Sequence, residues 1–426
     1  MEGTAPISCQ GSPAGERQAA ELTGSGRPKQ RGMSMSKSKV SVIGVGMVKF
    51  AKPGKSEDYP VMASKAARAA LEDAKVKYSE IEQAYAGYVY GDSTCGQRAI
   101  YEVGLTGIPV FNVNNNCSTG SSALMLGRQA ILSGVAECVL VVGFEKMEAG
   151  ALGSKYNDRT NPLDQHVGVM SQVAGVTGAP FAAQMFGGAG REYQWRYGTK
   201  RETFAKVSLK ARNHAGKNPY ALFSEPLTLD DILDAPNVFD PLTRYQCCPP
   251  TCGAAAAVLC SGEFAAAHGH TQPVYIAAQA MSTDFTSSFE KSMIKMCGYD
   301  MAVDSAKKVY EEAGIGPEDV DVIELHDCFT ANEILTYEAI GLCGEGEAEK
   351  FIWEGGNTYG GKFVTNPSGG LLSKGHPLGA TGLAQCAELV WHLRGQAGAR
   401  QVEGARIALQ HNLGLGGACV MTMYRV

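Results

Sequence analysis

One succession of helix, short turn, strand and polar loop occurs twice in this chain, and that echo limits the fold more than any other feature. Glu72-Asp73-Ala74 begins nine positions ahead of a strand candidate at Ile81, and Glu311-Glu312-Ala313 begins nine positions ahead of another at Val320. Later in each half a Gly-rich segment opens a helix, at Cys117 and at His376, and a strand follows near Val139 and near Ile407. A single echo is what any two strand–helix–strand units share. Four elements in the same order point to duplicated halves.

The local patterns agree with an α/β protein. Val40 to Gly46 reads as a buried strand, Val61 to Ala74 as a helix, and Ile81 to Tyr90 as a second strand. A helix is expected after Cys117 with Ala123, Leu126 and Ala130 along its apolar stripe, and Glu137 to Gly143 as a further buried strand. Between the halves, the proline-bearing stretch 151–239 reads as an inserted loop domain over the site. The N-terminal half is then 40–150 plus 240–268, and the C-terminal half 269–426. Residues 1–39, rich in Gly, Ser, Pro, Arg and Lys, read as a disordered extension. From Arg27 this tail carries only positive charge, as a mitochondrial presequence would, whereas Glu2, Glu16 and Glu21 do not fit one.

Composition removes several function classes. With 426 residues, 44% of them hydrophobic, the chain can bury a large core. A net charge of −5 leaves no basic footprint for nucleic acid. No apolar run reaches roughly 18 residues, so no membrane span is expected. The 13 cysteines form no disulfide framework, and Cys247, Cys248 and Cys252 lack the paired spacing of a zinc module. Neither a complete dinucleotide-binding glycine fingerprint nor a G-x-S-x-G elbow is present.

Three segments place reactive side chains where a chain turns. Cys117 follows three asparagines and precedes Ser118-Thr119-Gly120 at a helix start, where free N–H groups and the helix dipole would favour a thiolate and could hold an oxyanion. Core packing is the alternative for such a thiol. His376, between Gly375 and Pro377, faces the mouth of a helix running to Arg394, a position that keeps imidazole neutral and basic. After the strand Val320–Leu325, His326 and Cys328 share one side if strand geometry persists, while Asp327 points away and anchors the loop. His411 reads as structural, and the glycine turn after it offers amides for a second anion site.

These residues carry a resemblance to the thiolase family, specifically its sterol carrier protein X type, over residues 40–426. The motifs are Asn114-Asn115-Asn116-Cys117, His326-Asp327-Cys328-Phe329 and the Gly-His-Pro-Leu-Gly-Ala-Thr-Gly run at 375–382, with Gly91 to Gln97 and Asn357 to Gly361 in support. The resemblance implies a thiolase fold, five αβαβα layers from two duplicated halves, and a homodimer or dimer of dimers. It implies acyl-CoA and CoA as substrates, with no metal or bound cofactor. Carried over, Cys117 is the nucleophile, His376 its base, His326 the donor to an enolate oxygen, and Cys328 the acid/base thiol, with amides of Cys117 and Gly414 as an oxyanion site. The implied reaction is degradative cleavage of a straight-chain or 2-methyl-branched 3-oxoacyl-CoA. A condensing acyltransferase and a non-catalytic acyl-CoA or lipid-binding protein are the alternatives.

The chain departs from the family at two places. Asn412-Leu413-Gly414 stands where many thiolases carry Cys-x-Gly, and Thr251-Cys252-Gly253 where many carry Ser-Asp-Gly. The family's usual compartment is the peroxisome, with the mitochondrion as the alternative; the closing residues Tyr424-Arg425-Val426 are not a Ser-Lys-Leu-like signal, and a thiolase without the lipid-transfer domain is the expectation.

Overall fold

The computed structural model describes residues 39–148, 153 and 156–426. The expected disordered extension 1–39 therefore lies, save Lys39, outside the described residues.

Ten strands share one hydrogen-bonded succession. Those of the first half are β1 (Val40–Met47), β2 (Gln83–Gly87), β3 (Val110–Val113) and β4 (Cys138–Glu145). A short ribbon of β5 (Asn237–Phe239) and β6 (Leu242–Thr243) precedes β7 (Gly253–Ser261). The second half supplies β8 (Val274–Ser282), β9 (Val322–Glu324), β10 (Val364–Thr365), β11 (Ile407–Gly414) and β12 (Ala418–Arg425). The order is β10-β9-β11-β12-β8-β1-β7-β4-β2-β3. Read outward from the centre, β1-β7-β4-β2-β3 matches β8-β12-β11-β9-β10 strand for strand. The halves meet at the pairs Ser41–Tyr275 and Val42–Val274.

The duplication expected from Glu72 and Glu311 holds in detail. Helices Tyr59–Ala74 and Tyr299–Ala313 each lead through a 3₁₀ turn, Tyr78–Glu80 and Pro317–Asp319, into β2 and β9. The second strand is shorter than the expected 81–90, because the chain leaves the sheet at Tyr88.

Strand alternation then builds five layers. Val139 and Val141 of β4, with Ala255, Ala257 and Leu259 of β7, face a central cluster that includes Leu124, Leu383, Ala387 and Val390 from helices Thr119–Leu132 and Leu378–Leu393. Their neighbours Leu140, Val142, Ala256 and Val258 face the outer helix Tyr59–Ala74 through Ala66, Ala67 and Ala70. In the second half Leu409, Met421 and Met423 turn outward toward Ala302, Ala306 and Val309. The two helices that follow Cys117 and His376 are thus the middle layer, and the sheets clamp them from both sides.

The stripe expected on the first of these helices needs correction. Its buried face is Ala123, Leu124, Gly127 and Ile131, whereas Leu126 is 40% exposed. Sheet contact falls one residue away from the expected line, and Leu126 is left on the surface. The stretch between β4 and β7 holds helices Asp164–Val173, Phe181–Tyr197, Arg201–Ala215 and Leu229–Leu233. No helix is long and apolar enough to cross a membrane among the described residues.

Candidate active site

Cys117 sits between β3 and the first central helix, on a backbone bent for it. Asn116 adopts a left-handed conformation (φ 51°), which Asn tolerates better than other side-chain-bearing residues. Its amide donates to Leu415 O at 3.1 Å, and its Oδ1 accepts the Cys117 thiol at 3.6 Å. The turn is therefore held by the β11–β12 hairpin of the opposite half. Gly414 permits the approach, because a Cβ there would meet Asn115 O at 2.3 Å. The backbone amides directed at the Cys117 sulfur are those of Leu415 and Cys117 itself.

His376 precedes the second central helix. Gly375 carries it at φ 115°, a conformation closed to most residues. The His376 amide donates to Thr251 Oγ1 at 3.0 Å, so the Thr-Cys-Gly departure has a positional role that its sequence did not reveal. Nδ1 lies 2.8 Å from Thr381 Oγ1, whose own hydrogen goes to Pro377 O at 2.9 Å. Thr381 must therefore accept from Nδ1–H. That leaves the buried Nε2 a bare lone pair with no protein partner.

The third segment leaves β9 at Glu324, so strand alternation does not extend through 326–328 as expected. Asp327 does turn away, accepting from Leu371 N at 2.7 Å and Leu372 N at 3.4 Å. This ties the His326 loop to the loop that carries His376. Burial, and then the nearby Glu333, push the Asp327 carboxyl up to about 8. Cys328 is buried, its carbonyl accepting from Cys248 N at 2.8 Å, and Cys247 bridges to Phe329.

The three segments converge. Cys117 Sγ and one ring nitrogen each of His326 and His376 all lie within 4.8 Å of one another. The two imidazole rings are 5.1 Å apart at 87°. Cys328 is close enough for its charge to interact with those of Cys117 and Cys248. Such a trio could surround a metal ion by distance; the His326 Nδ1 faces the Asn412 Nδ2 at 3.0 Å.

Electrostatics corrects one expectation. Loss of solvation pushes the Cys117 thiol up to about 12, overriding its amide donors and the helix start. Burial also holds His376 down to about 3, and holds His326 well below its usual range with help from His376 and His411. Cys328 is raised well above the ordinary thiol range by burial and by neighbouring Cys248 and Cys117. The resting site is thus neutral, with two thiols and two uncharged imidazoles. No ion pair stands ready.

Several contributors were not evident beforehand. Glu145, at the end of β4, accepts from Tyr90 N and Gly379 N at 2.9 Å each, and burial lifts it to about 7. Tyr90 senses the charge of Cys117 and borders a polar cavity of about 410 Å³ with Arg98 and Lys146. His411, read as structural, receives the His326 amide on Nδ1 at 3.4 Å. Every cysteine among the described residues is a free thiol.

A duplicated αβαβα fold whose middle helices present a cysteine and a histidine to one pocket is the arrangement of an acyl-transferring enzyme. The chain belongs to the thiolase family: residues 40–263 match the thiolase N-terminal domain and residues 284–423 the thiolase C-terminal domain-like family. It is an acyltransferase of that family. It is 60% identical to rabbit (Oryctolagus cuniculus) sterol carrier protein 2 over 393 residues, which cover 91% of this chain and 72% of that protein. It is 49% identical to non-specific lipid-transfer protein-like 2 of Caenorhabditis elegans, covering 92% of this chain and 98% of that one. Among solved structures, human mitochondrial 3-ketoacyl-CoA thiolase in complex with CoA superposes with a TM-score of 0.70 at 20% identity, over 91% of this chain and 98% of that one. An Ltp2-ChsH2(DUF35) aldolase superposes with a TM-score of 0.78 at 22% identity, over the same shares. At those identities the likeness is one of fold.

Proposed function

We propose that this acyltransferase is a degradative 3-oxoacyl-CoA thiolase. The observation that carries the reading is the convergence of Cys117 Sγ with ring nitrogens of His326 and His376 inside 4.8 Å. The bare Nε2 of His376 takes the Cys117 proton as the sulfur attacks the 3-keto carbon. The C2–C3 bond then breaks, its electron pair leaving as the enolate of acetyl-CoA or propionyl-CoA. His326 donates to the enolate oxygen, and Cys328, still protonated in the resting site, delivers its proton to the carbon. The remaining acyl group stays on Cys117 as a thioester. CoA enters, loses its thiol proton to the Cys328 thiolate and removes the acyl group, with amides at Cys117 and the 414–415 turn holding the tetrahedral oxygen, and the His376 imidazolium returns its proton to the departing Cys117 sulfur. Atoms and charge balance without a metal or redox cofactor in any of these steps.

The fold does not choose between this reaction and another, since an Ltp2-ChsH2(DUF35) aldolase shares it. The sulfur of Cys117 beside two neutral imidazoles supports thiolytic cleavage. Incubating the protein with CoA and a panel of straight-chain and 2-methyl-branched 3-oxoacyl-CoAs should yield acyl-CoAs shortened by the released acetyl or propionyl unit, and Cys117→Ala should abolish this. Shortened acyl-CoA formed at the same rate by Cys117→Ala would defeat the reading.

We also infer a homodimer. β3 ends the sheet, with Phe111 46% and Leu105 79% exposed beside it. An open strand edge flanked by apolar side chains is well suited to pair with a second copy.

A further inference from the structure

Asn412 stands where the thiolase resemblance places a cysteine, and its surroundings give it a distinct task. It is fully buried, and both its polar atoms are engaged. Nδ2 lies 3.2 Å from Cys117 O and 3.0 Å from His326 Nδ1, while Oδ1 accepts from Ser121 Oγ at 2.8 Å. The Cys117 carbonyl can only accept, so the amide must turn its NH₂ that way. A relay from deeper in the core supports the same orientation. Tyr424 O–H donates to Gln410 Oε1 at 2.5 Å, Gln410 Nε2 donates to Ser121 Oγ at 2.8 Å, and this leaves the Ser121 hydrogen for Asn412 Oδ1.

An NH₂ group facing an imidazole nitrogen requires a lone pair there. We propose that Asn412 is a positioning residue which keeps His326 in the tautomer with a bare Nδ1 and its hydrogen on Nε2, making His326 a hydrogen-bond donor to the reacting oxygen. His376 is held in the opposite tautomer by Thr381. Two adjacent neutral imidazoles are thereby assigned opposite work, one to accept a proton and one to donate a hydrogen bond. The same Asn412 NH₂ touches the backbone of the nucleophile, so the donor and the attacking sulfur are set by a single amide. The oxyanion role rests on the thiolase reading, but the tautomer does not.

The test is ¹⁵N spectroscopy of the full chain labelled at histidine, with the His326 signals assigned by their loss in His326→Gln. The wild type should show Nδ1 of His326 unprotonated and Nε2 protonated. Asn412→Asp, whose carboxylate accepts from Nδ1–H, should invert that pattern, and Asn412→Ala should give a mixture. Thiolysis kcat of Asn412→Asp should fall about 100-fold or more, the usual loss when one oxyanion donor is removed, with KM little changed. A wild-type His326 protonated on Nδ1, or variants that keep the wild-type pattern, would overturn the proposal. If neither variant folds, the wild-type spectrum decides by itself. A protein with the assigned tautomer that cleaves no 3-oxoacyl-CoA would refute the thiolase reading and leave the Asn412 assignment supported.

Discussion

The imidazole rings of His326 and His376 stand 5.1 Å apart and nearly perpendicular, one carried by the loop after β9 and the other by the entry to a central helix. They are neighbours with separable roles. Exchange of labelled CoA into an acyl-CoA needs attack by Cys117, proton transfer to the leaving CoA sulfur and the reversal of both, with no carbon–carbon bond broken. His376→Ala should slow this exchange about 10²–10⁴-fold, the usual worth of a positioned base. His326→Ala should spare exchange and lose carbon–carbon cleavage. Equal losses of exchange in both variants would contradict the division.

Alkylation of Cys117 should report a buried, neutral thiol. With its pKa pushed up to about 12, the thiolate fraction grows with every rise in pH below that value. The iodoacetamide rate, followed by peptide mass spectrometry, should therefore climb about tenfold per pH unit from pH 7 to 9.5. His376, held down to about 3, adds no step in that window. A plateau reached near neutrality would instead reveal a Cys117–His376 ion pair.

Cys328 is assigned the proton transfers to and from carbon. Cys328→Ala should lose deuterium exchange from solvent into the α-carbon of acetyl-CoA by about 10²-fold or more, and should also slow acylation of Cys117 by acyl-CoA, whose leaving sulfur Cys328 protonates. Retained α-exchange would place the acid elsewhere, and the adjacent Cys248 would be the next candidate.

The loop between β10 and His376 rests on a buried ion pair. Lys374 Nζ lies 3.2 Å from Glu324 Oε2, and both residues are fully buried. Glu324 also receives the Ser368 hydroxyl at 2.7 Å. Glu324→Ala strands the ammonium and should destabilise the fold by about 3–5 kcal/mol, seen as a lower thermal midpoint. Adding Lys374→Met should restore much of that loss. An unchanged midpoint in the single variant would mean that the lysine finds water.

At the β3 edge, Phe111→Asp should shift the sedimentation velocity profile of a dimer toward that of a monomer. A wild type that sediments as a monomer would remove the inferred pairing.

Much of the architecture was legible because it follows short periodicities. Glu72 and Glu311 stand at equal distances from their strands, and the glycines beside His376 and the asparagines before Cys117 announce turns that open helices. Those are local signals. Leu126 departs from its expected place because a helix stripe records apolarity, and an apolar residue can stand on the surface as well as in the core. The strength of the Cys117 acid was misjudged for a related reason. A helix start is visible in sequence, but the depth at which it is buried is not.

Sequence alone determined that two similar halves exist and that a cysteine and a histidine sit at matching helix entrances, since both facts depend on residues within a few positions of each other. Which nitrogen of each imidazole is bare was decided only by tertiary structure. Ser121 and Asn412 lie 291 positions apart in the chain, and His326 and Asn412 lie 86 apart. Hydrogen-bond direction is a property of completed networks. This one closes only when the two halves enclose their central helices and exclude the water that would otherwise satisfy either tautomer.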